Sequence, residues 1–358
     1  MSEQPVEHTP STRAAARPMH AMQATRAARR YFLDGWTIKK IAAELGVSRF
    51  KAARLLDWAR AEGLVRIEIV NTIRSDAELN AELRAAYGLA DALVVADLDG
   101  AADAIVRELA EVAALAVAEL VSPNDVVGIS WGRTLDLLVE QLPELRARRV
   151  VQLIGGLATL ESASGGIELV RSFAAKAHTE GYPLLAPVLV RDLAAAESLR
   201  RDPIIAETLK LIDDVTVVVA GVGAWGDPCG SRMIECFTAD ELEELRRQGV
   251  SADLCGFLFT DEGEVLLHSV GGRIGISLEQ LRAAQTVVAV AGGAEKRAAI
   301  AAVLRSGIVD VLVTDAGSAR ALLRSAQPGE TAGADTARRR HPPAAVPRER
   351  AGLDSELV

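Results

Sequence analysis

From residue 91 onward, short and nearly continuous apolar runs recur, each closed by small or polar residues and followed by a stretch of helical period. Leu93-Val94-Val95-Ala96, Val126-Val127-Gly128-Ile129 and Val150-Val151-Gln152-Leu153-Ile154 are the first three; residues 216–220, 286–291 and 309–313 continue the series. A strand with one wet face alternates apolar and polar residues. These runs do not, so both faces must be covered. Helical stretches at 101–120, 168–179, 238–247, 295–304 and 318–323 lie between them. The predicted fold class is α/β, with a mostly parallel sheet covered by helices. Residues 254–259, the turn Asp261-Glu262-Gly263 and residues 265–270 read as a β-hairpin beside it. Hydrophobic residues make up 49% of the chain but aromatics only 4%, so the core must be built mainly from Ala, Val and Leu.

In such sheets ligands gather beyond the carboxyl ends of the strands. Four strand ends here carry small or polar turns: Ser130-Trp131-Gly132-Arg133-Thr134, Gly155-Gly156, Gly221-Val222-Gly223 and Gly292-Gly293. The first runs straight into the helical stretch Leu135-Asp136-Leu137-Leu138-Val139. A strand entering a helix this way presents free N–H groups and the positive end of the helix dipole. Ser130, Arg133 and Thr134 add side-chain donors, so the expected guest is an anion, best a phosphate. The run lacks the Lys-[Ser/Thr] of a Walker loop and the Gly-x-Gly-x-x-Gly of a dinucleotide site. Lys296, just after Gly293, stands near a helix start and suits a phosphate too. Arg232 is a further candidate for an anion. Asp253 is a candidate acceptor for a ligand, whereas Asp315 is expected to cap the last helix.

Residues 1–70 differ in charge from the rest. They hold 12 Arg/Lys against 7 Asp/Glu, a net of +5; with the whole chain at −9, the remainder carries −14. A basic head on an acidic body is the asymmetry of a DNA-binding domain attached to something else. The head supplies the pattern. After a first helix over 22–33, Thr37 caps a short helix, Gly46 ends it, and Ser48 caps a longer one closing at Gly63. Ile38, Ile41, Ala42 and Leu45 face Val47, Ala52, Leu55 and Leu56. This is helix-turn-helix spacing, in which the second helix enters the major groove. Thr37, Lys39, Ser48, Arg49, Phe50, Lys51 and Arg54 are the candidate DNA contacts: arginine can read guanine, an aromatic can meet a thymine methyl, and lysine suits phosphate. Residues 64–70 read as a strand, one arm of a wing.

The expected organisation is a disordered arm at 1–22, a winged helix-turn-helix domain at 23–72, a linker helix at 73–90 begun by the capping box Ser75-Asp76-Ala77-Glu78, an effector-binding and oligomerisation domain at 91–325, and a disordered tail at 326–358. Three cysteines, none in a CxxC pair, argue against a disulfide framework and for a reducing cytoplasm. No histidine stands at ligand spacing, so no metal or other cofactor is expected. Neither a signal peptide nor a membrane span is read in the chain.

Several stretches together resemble the SorC/DeoR-type sugar-binding transcriptional regulators of bacteria, over about residues 25–323. They are Ile41-Ala42-Ala43-Glu44-Leu45-Gly46-Val47-Ser48-Arg49, Arg54-Leu55-Leu56, Gly128-Ile129-Ser130-Trp131-Gly132-Arg133-Thr134, Gln152-Leu153-Ile154-Gly155-Gly156, and residues 289–299 followed by Leu312-Val313-Thr314-Asp315. The resemblance implies an effector domain similar to the sugar-phosphate isomerase and CoA-transferase-like fold, a phosphorylated sugar or related metabolite as effector, an operator DNA partner, and a homodimer or homotetramer. It departs from the family at Gly249-Val250-Ser251-Ala252-Asp253, where a Gly-Asp pair is usual, and at Ala224-Trp225-Gly226-Asp227-Pro228.

The expected function is therefore a DNA-binding regulator, not an enzyme, with Ser130, Gly132, Arg133, Thr134, Gly155, Gly156, Gly223, Arg232, Asp253, Gly293 and Lys296 around the effector. A sugar-phosphate isomerase is the alternative from another class. It needs a positioned base and a group to stabilise an enediolate, and no such pair is evident beyond Asp253 and Lys296.

Overall fold

Caps and glycines set the limits of the first helices. The computed structural model describes residues 18–65, 75–96, 102–157, 165–226, 230–266 and 272–326. α1 (Pro18–Phe32) is followed by α2 (Ile38–Leu45) and α3 (Arg49–Ala61). The Thr37 hydroxyl accepts the Lys40 N–H at 3.3 Å, and the Ser48 hydroxyl accepts the Lys51 N–H at 3.2 Å. Gly46 takes the left-handed conformation that ends α2. Ala24, Ala27 and Ala28 of α1 pack with Ile41, Ala42, Ala52, Leu55, Leu56 and Ala59 in a small separate core. α1 starts at Pro18, earlier than residue 22, because proline is at home in a first helical turn. Residues 1–17 of the expected arm, 66–70 of the expected wing strand and 327–358 of the expected tail lie outside the described residues.

The chain divides into two compact units, Met1–Thr72 and Ile73–Val358. The second opens with α4 (Ala77–Tyr87). Its cap is Asp76, whose carboxylate accepts the Glu78 and Leu79 N–H groups, and not Ser75 as the capping-box pattern suggested. Alternation follows: β1 (Asp91–Val95), α5 (Ala102–Leu120), β2 (Val126–Ile129), α6 (Arg133–Gln141), β3 (Arg149–Gln152), α7 (Gly165–Lys176), β4 (Gly181–Tyr182). An excursion through β5 (Leu189–Val190), α8 (Leu193–Arg201) and α9 (Pro203–Leu211) leads to β6 (Val217–Ala224). Then come α10 (Ala239–Arg247), β7 (Val250–Leu254), β8 (Phe257–Thr260), β9 (Val265–Leu266), β10 (Gly272–Arg273), α11 (Leu278–Ala283), β11 (Thr286–Val290), α12 (Arg297–Arg305), β12 (Val311–Asp315) and α13 (Ala316–Ser325).

The main sheet runs β1-β12-β11-β6-β2-β3-β4, with every neighbouring pair parallel. Residues alternate between two cores. Val218, Ala220, Val287, Ala289 and Leu312 join Leu79, Leu83, Ile300, Leu304 and Leu322 of α4, α12 and α13. Val127, Ile129, Val219, Val288, Val290 and Val313 join Leu109, Leu135, Leu138, Leu169 and Phe173 of α5, α6 and α7. Both faces are dry, which explains why the strands carry no polar alternation. Burying each such Leu, Ile or Phe contributes about 1.5–3 kcal/mol.

Two readings of the sequence need correction. Residues 254–259 are not one strand: Cys255 and Gly256, both at positive φ, turn the chain between β7 and β8. β6 overruns the sheet and pairs antiparallel with β7, so three antiparallel strands grow from its end. Residues 181–211, where the sequence shows no clear period, hold β4, β5, α8 and α9. Among the described residues no helix is long and apolar enough to cross a membrane.

Candidate functional site

Strand order locates the site. The connection leaving β2 carries the chain to β3 on one side, while the one leaving β6 carries it to β11 on the other. Neighbouring strands whose connections diverge leave a crevice beyond their carboxyl ends. α6, which follows β2, lies against one core, and α12, which follows β11, lies against the other.

Most helix starts carry a side-chain cap, and two at this sheet edge do not. Thr37, Ser48, Asp76, Asp192, Asp202, Thr238, Ser277 and Asp315 each cap a helix with a side-chain oxygen. α6 begins at Gly132 with no side-chain cap. The short 3₁₀ turn Ala294–Lys296 begins at Gly293, and α12 follows at Lys296; neither has a side-chain cap. The α6 start thus leaves first-turn N–H groups and a positive dipole end for a guest; at the second start the Gly293 N–H is bonded to Asp315 and the Lys296 N–H to the Gly293 carbonyl, so Lys296 offers its side chain.

Charged side chains converge there. Burial pushes the Lys296 ammonium below the ordinary lysine range; Asp253 and Glu295 oppose that shift, and Arg133 reinforces it. The Lys296 Nζ donates to the Val222 carbonyl at 3.0 Å. Arg133 and Thr134 stand in the first turn of α6, with Arg133 exposed, and Ser130 is buried at the end of β2. Arg232 pairs with Glu235 at 3.4 Å and also acts on Asp136, whose carboxyl is raised by burial and by Glu140.

Asp253 is 8% exposed. Its Oδ1 accepts the Trp225 indole N–H at 2.7 Å and a short bond from the Ser231 hydroxyl. Burial pushes its carboxyl up; the bonds from Ser231 and Trp225 and the charge of Lys296 pull the other way. Gly223 lies opposite Asp253 in the β6–β7 ladder, and a Cβ there would stand 2.1 Å from Oδ1. The missing side chain makes room for the carboxylate.

The Gly155-Gly156 turn is occupied by the protein itself, and the Gly293 turn is occupied in part. Gly155 donates its N–H to Ile274 and accepts the Trp131 indole N–H at 2.8 Å, and a Cβ on it would meet the Ala186 carbonyl at 2.5 Å. Gly156 donates to the Ala186 carbonyl and accepts the Val188 N–H. The Gly293 N–H goes to the Asp315 carboxylate at 2.7 Å. Strand order therefore places Ser130, Gly132, Arg133, Thr134, Gly223, Gly293 and Lys296 at or beyond the carboxyl ends of the neighbouring strands β2, β6 and β11, with Asp253 and Arg133 near enough to act on Lys296 and Arg232 near enough to act on Asp136 of α6. Gly155 and Gly156 have backbone groups already bonded. Sequence reasoning missed Trp225 and Ser231; the available signal was that a buried indole N–H and a buried carboxylate must each find a partner. Among the described residues no group of three or more His, Cys, Asp or Glu is arranged to hold a metal ion.

On the first unit, Thr37, Lys39, Ser48, Arg49, Phe50, Lys51 and Arg54 are all exposed. Phe50 is 86% exposed at the second position of α3, outside the small core. The Arg30 guanidinium and the Lys40 ammonium each lie over the Trp36 ring, at 4.3 and 3.9 Å from its centroid.

Fold and site together describe a helix-turn-helix unit joined to an α/β small-molecule-binding unit. A family model described as "Putative sugar-binding domain" (Sugar-bind) matches residues 71–324. The deoxyribonucleoside regulator of Bacillus subtilis (strain 168) is 28% identical over 300 residues, covering 83% of this chain and 96% of that relative. The sorbitol operon regulator of Klebsiella pneumoniae is 28% identical over 300 residues, covering 82% and 95%. The full-length structure of SorC from Klebsiella pneumoniae superposes with a TM-score of 0.66 at 24% identity, covering 86% of this chain and all of that one. A DeoR family transcriptional regulator from Listeria monocytogenes gives 0.61 at 28% identity, covering 68% and 98%. The chain belongs to the SorC/DeoR-type family of sugar-binding transcriptional regulators.

Proposed function

We propose that this chain is a bacterial transcriptional regulator whose second unit senses a phosphorylated sugar and thereby alters the affinity of the first for operator DNA. The observation carrying this reading is the pair of uncapped helix starts, at Gly132 and at Gly293 to Lys296, flanking the β2–β6 crevice. Phosphate would take the α6 first turn with Arg133 and Thr134, and Lys296 would add a compact charge. Asp253, held by Trp225 and Ser231, would accept sugar hydroxyls. Relatives named for deoxyribonucleosides and for sorbitol support a small polyhydroxylated effector. The protein acts in the cytoplasm as a homodimer or homotetramer and as a sensor, not an enzyme. Its domains are the helix-turn-helix at 23–72, a linker helix at 73–90 and the effector domain at 91–325.

On the DNA side, Arg49, Phe50 and Arg54 would face base edges, while Lys39 and Lys51 would meet phosphates, with Thr37 and Ser48 at the helix starts. The test is a duplex selected from a random library by the full-length protein, followed by anisotropy titrations with and without sugar phosphates. A change in duplex affinity within the roughly 5–150-fold range of allosteric coupling is expected. Absence of any selected sequence, or affinity indifferent to every sugar phosphate that binds, would refute the reading.

A further inference from the structure

The sheet edge that holds the crevice also receives the chain arriving from the first unit. Ser75 forms an antiparallel bridge with Val95, the last residue of β1. The Asp76 N–H donates to the Val94 carbonyl at 2.9 Å, and the Asn80 side chain closes the joint. Its Oδ1 accepts the Val94 N–H at 2.7 Å, and its Nδ2 donates to the Ser75 hydroxyl at 2.8 Å. The start of α4 is thus stitched to the carboxyl end of β1.

One strand further along lies Asp315, in register with Val95. It is 8% exposed. Its Oδ1 accepts the Ser318 N–H at 2.8 Å, which caps α13. Its Oδ2 accepts the Ser318 hydroxyl at 2.6 Å and the Gly293 N–H at 2.7 Å. That last bond reaches across to β11 and holds the turn that presents Lys296. A Cβ on Gly292 would stand 2.6 Å from Oδ2, so the close approach depends on that glycine. At its other end α13 returns to α4, where the Tyr87 hydroxyl donates to the Leu322 carbonyl at 2.9 Å. Asp315 therefore sits on a frame tied to α4 at both ends.

We infer that Asp315 is the positioning residue through which occupancy of the Lys296 turn is transmitted to the start of α4, and so to the segment leading to the DNA-binding unit. Capping alone accounts for the Oδ1 bond to Ser318. It does not account for a second oxygen spent on a glycine N–H in a different connection. A phosphate drawn to Lys296 moves or stiffens the Gly293 turn, and the buried carboxylate shares that constraint with β12 and its neighbour β1. Coupling of this kind travels through packed, hydrogen-bonded contacts with few alternative arrangements. The inference rests on the proposed effector site.

Asp315→Asn separates the two roles of the carboxylate. Asparagine remains a good cap and can still accept the Ser318 N–H. Its NH₂ group cannot accept the Gly293 N–H. The probes are ribose 5-phosphate, glucose 6-phosphate and fructose 6-phosphate on the full-length protein, with binding read calorimetrically. Hydrogen–deuterium exchange is read at residues 76–80 and at Val94. In the unmodified protein, a bound sugar phosphate is expected to slow exchange there about tenfold, as local opening is suppressed. In Asp315→Asn the same compound should bind within about threefold of its original affinity, with the slowing at residues 76–80 lost. Binding without slowing at residues 76–80 in the unmodified protein overturns the inference and leaves the site standing. Equal slowing in the variant overturns it too. Failure of all three sugar phosphates to bind the unmodified protein overturns the effector site and the inference together. Should Asp315→Asn fold poorly, Tyr87→Phe, which frees the far end of the same frame, takes its place: weaker slowing at residues 76–80 with the sugar phosphate still bound supports the inference, and equal slowing overturns it.

Discussion

Two turns one strand apart look alike in sequence and serve different ends. The turn after β2, Ser130 to Thr134, and the turn after β3, Gly155-Gly156, both close an apolar run with small residues at the same sheet edge. After β3, the backbone groups are bonded to residues 186, 188 and 274, and the Gly155 carbonyl also takes the Trp131 indole. After β2, the helix starts without a cap and with Arg133 beside it. A glycine at a strand end thus signals close approach, but the approaching group can be the protein's own backbone. What separates a ligand turn from a packing turn is whether the N–H groups are already bonded.

Several substitutions test that contrast. The largest effects are expected from Arg133→Ala and Lys296→Ala, each removing a charged donor from the open turn. Loss of about 1.5–3 kcal/mol in sugar-phosphate binding, roughly 10- to 100-fold by calorimetry, is expected for each. Wild-type affinity in both would place the phosphate elsewhere. Gly155→Ala should act on stability instead. Its Cβ would press on the Ala186 and Pro187 backbone, costing about 1–3 kcal/mol in a denaturant titration. An unchanged midpoint would mean the two segments separate easily.

Ser231→Ala removes one of the two donors holding Asp253. The Asp253 carboxyl should then titrate still higher, because burial is opposed by less, as read from its carboxyl carbon by NMR. A raised carboxyl favours folding when protonated and loses that advantage as pH rises through its folded value. The variant's deficit against the parent should therefore grow from acid toward neutral pH, and a pH-independent deficit would contradict the assignment. Gly156→Ala is the smallest expected effect. Space is open around its Cβ and its N–H and carbonyl are both bonded, so sugar-phosphate affinity should stay within about threefold. A larger loss would make the β3 turn part of the site after all.

Much of the second unit was legible because its strands are buried on both faces, leaving runs such as residues 286–290 without polar interruption. The caps at Thr37, Ser48, Thr238 and Asp315 were legible for a local reason: each bonds the N–H three residues ahead. The excursion over residues 181–211 was not, since β4 and β5 are two residues each and carry no period. Nor was the split between β7 and β8, where Cys255 at positive φ disguises the turn. The union of Arg133, Asp253 and Lys296 depends on strand order, which no spacing along the chain encodes. Trp225 and Ser231 went unassigned because their acceptor, Asp253, meets them only through the β6–β7 pairing.

The central claim is that the crevice recognises the phosphate of a sugar. The direct test is a thermal-shift titration of the full-length protein with matched pairs: ribose and ribose 5-phosphate, glucose and glucose 6-phosphate, fructose and fructose 6-phosphate. A ligand at a hundred times its dissociation constant stabilises by about 2.7 kcal/mol. For a unit of this size that corresponds to roughly 5–10 °C. At least one phosphorylated sugar should raise the melting temperature by that amount, its unphosphorylated partner should not, and Lys296→Ala should cut the rise to about half or less. Equal shifts from a sugar and its phosphate, or a full shift in Lys296→Ala, would contradict it.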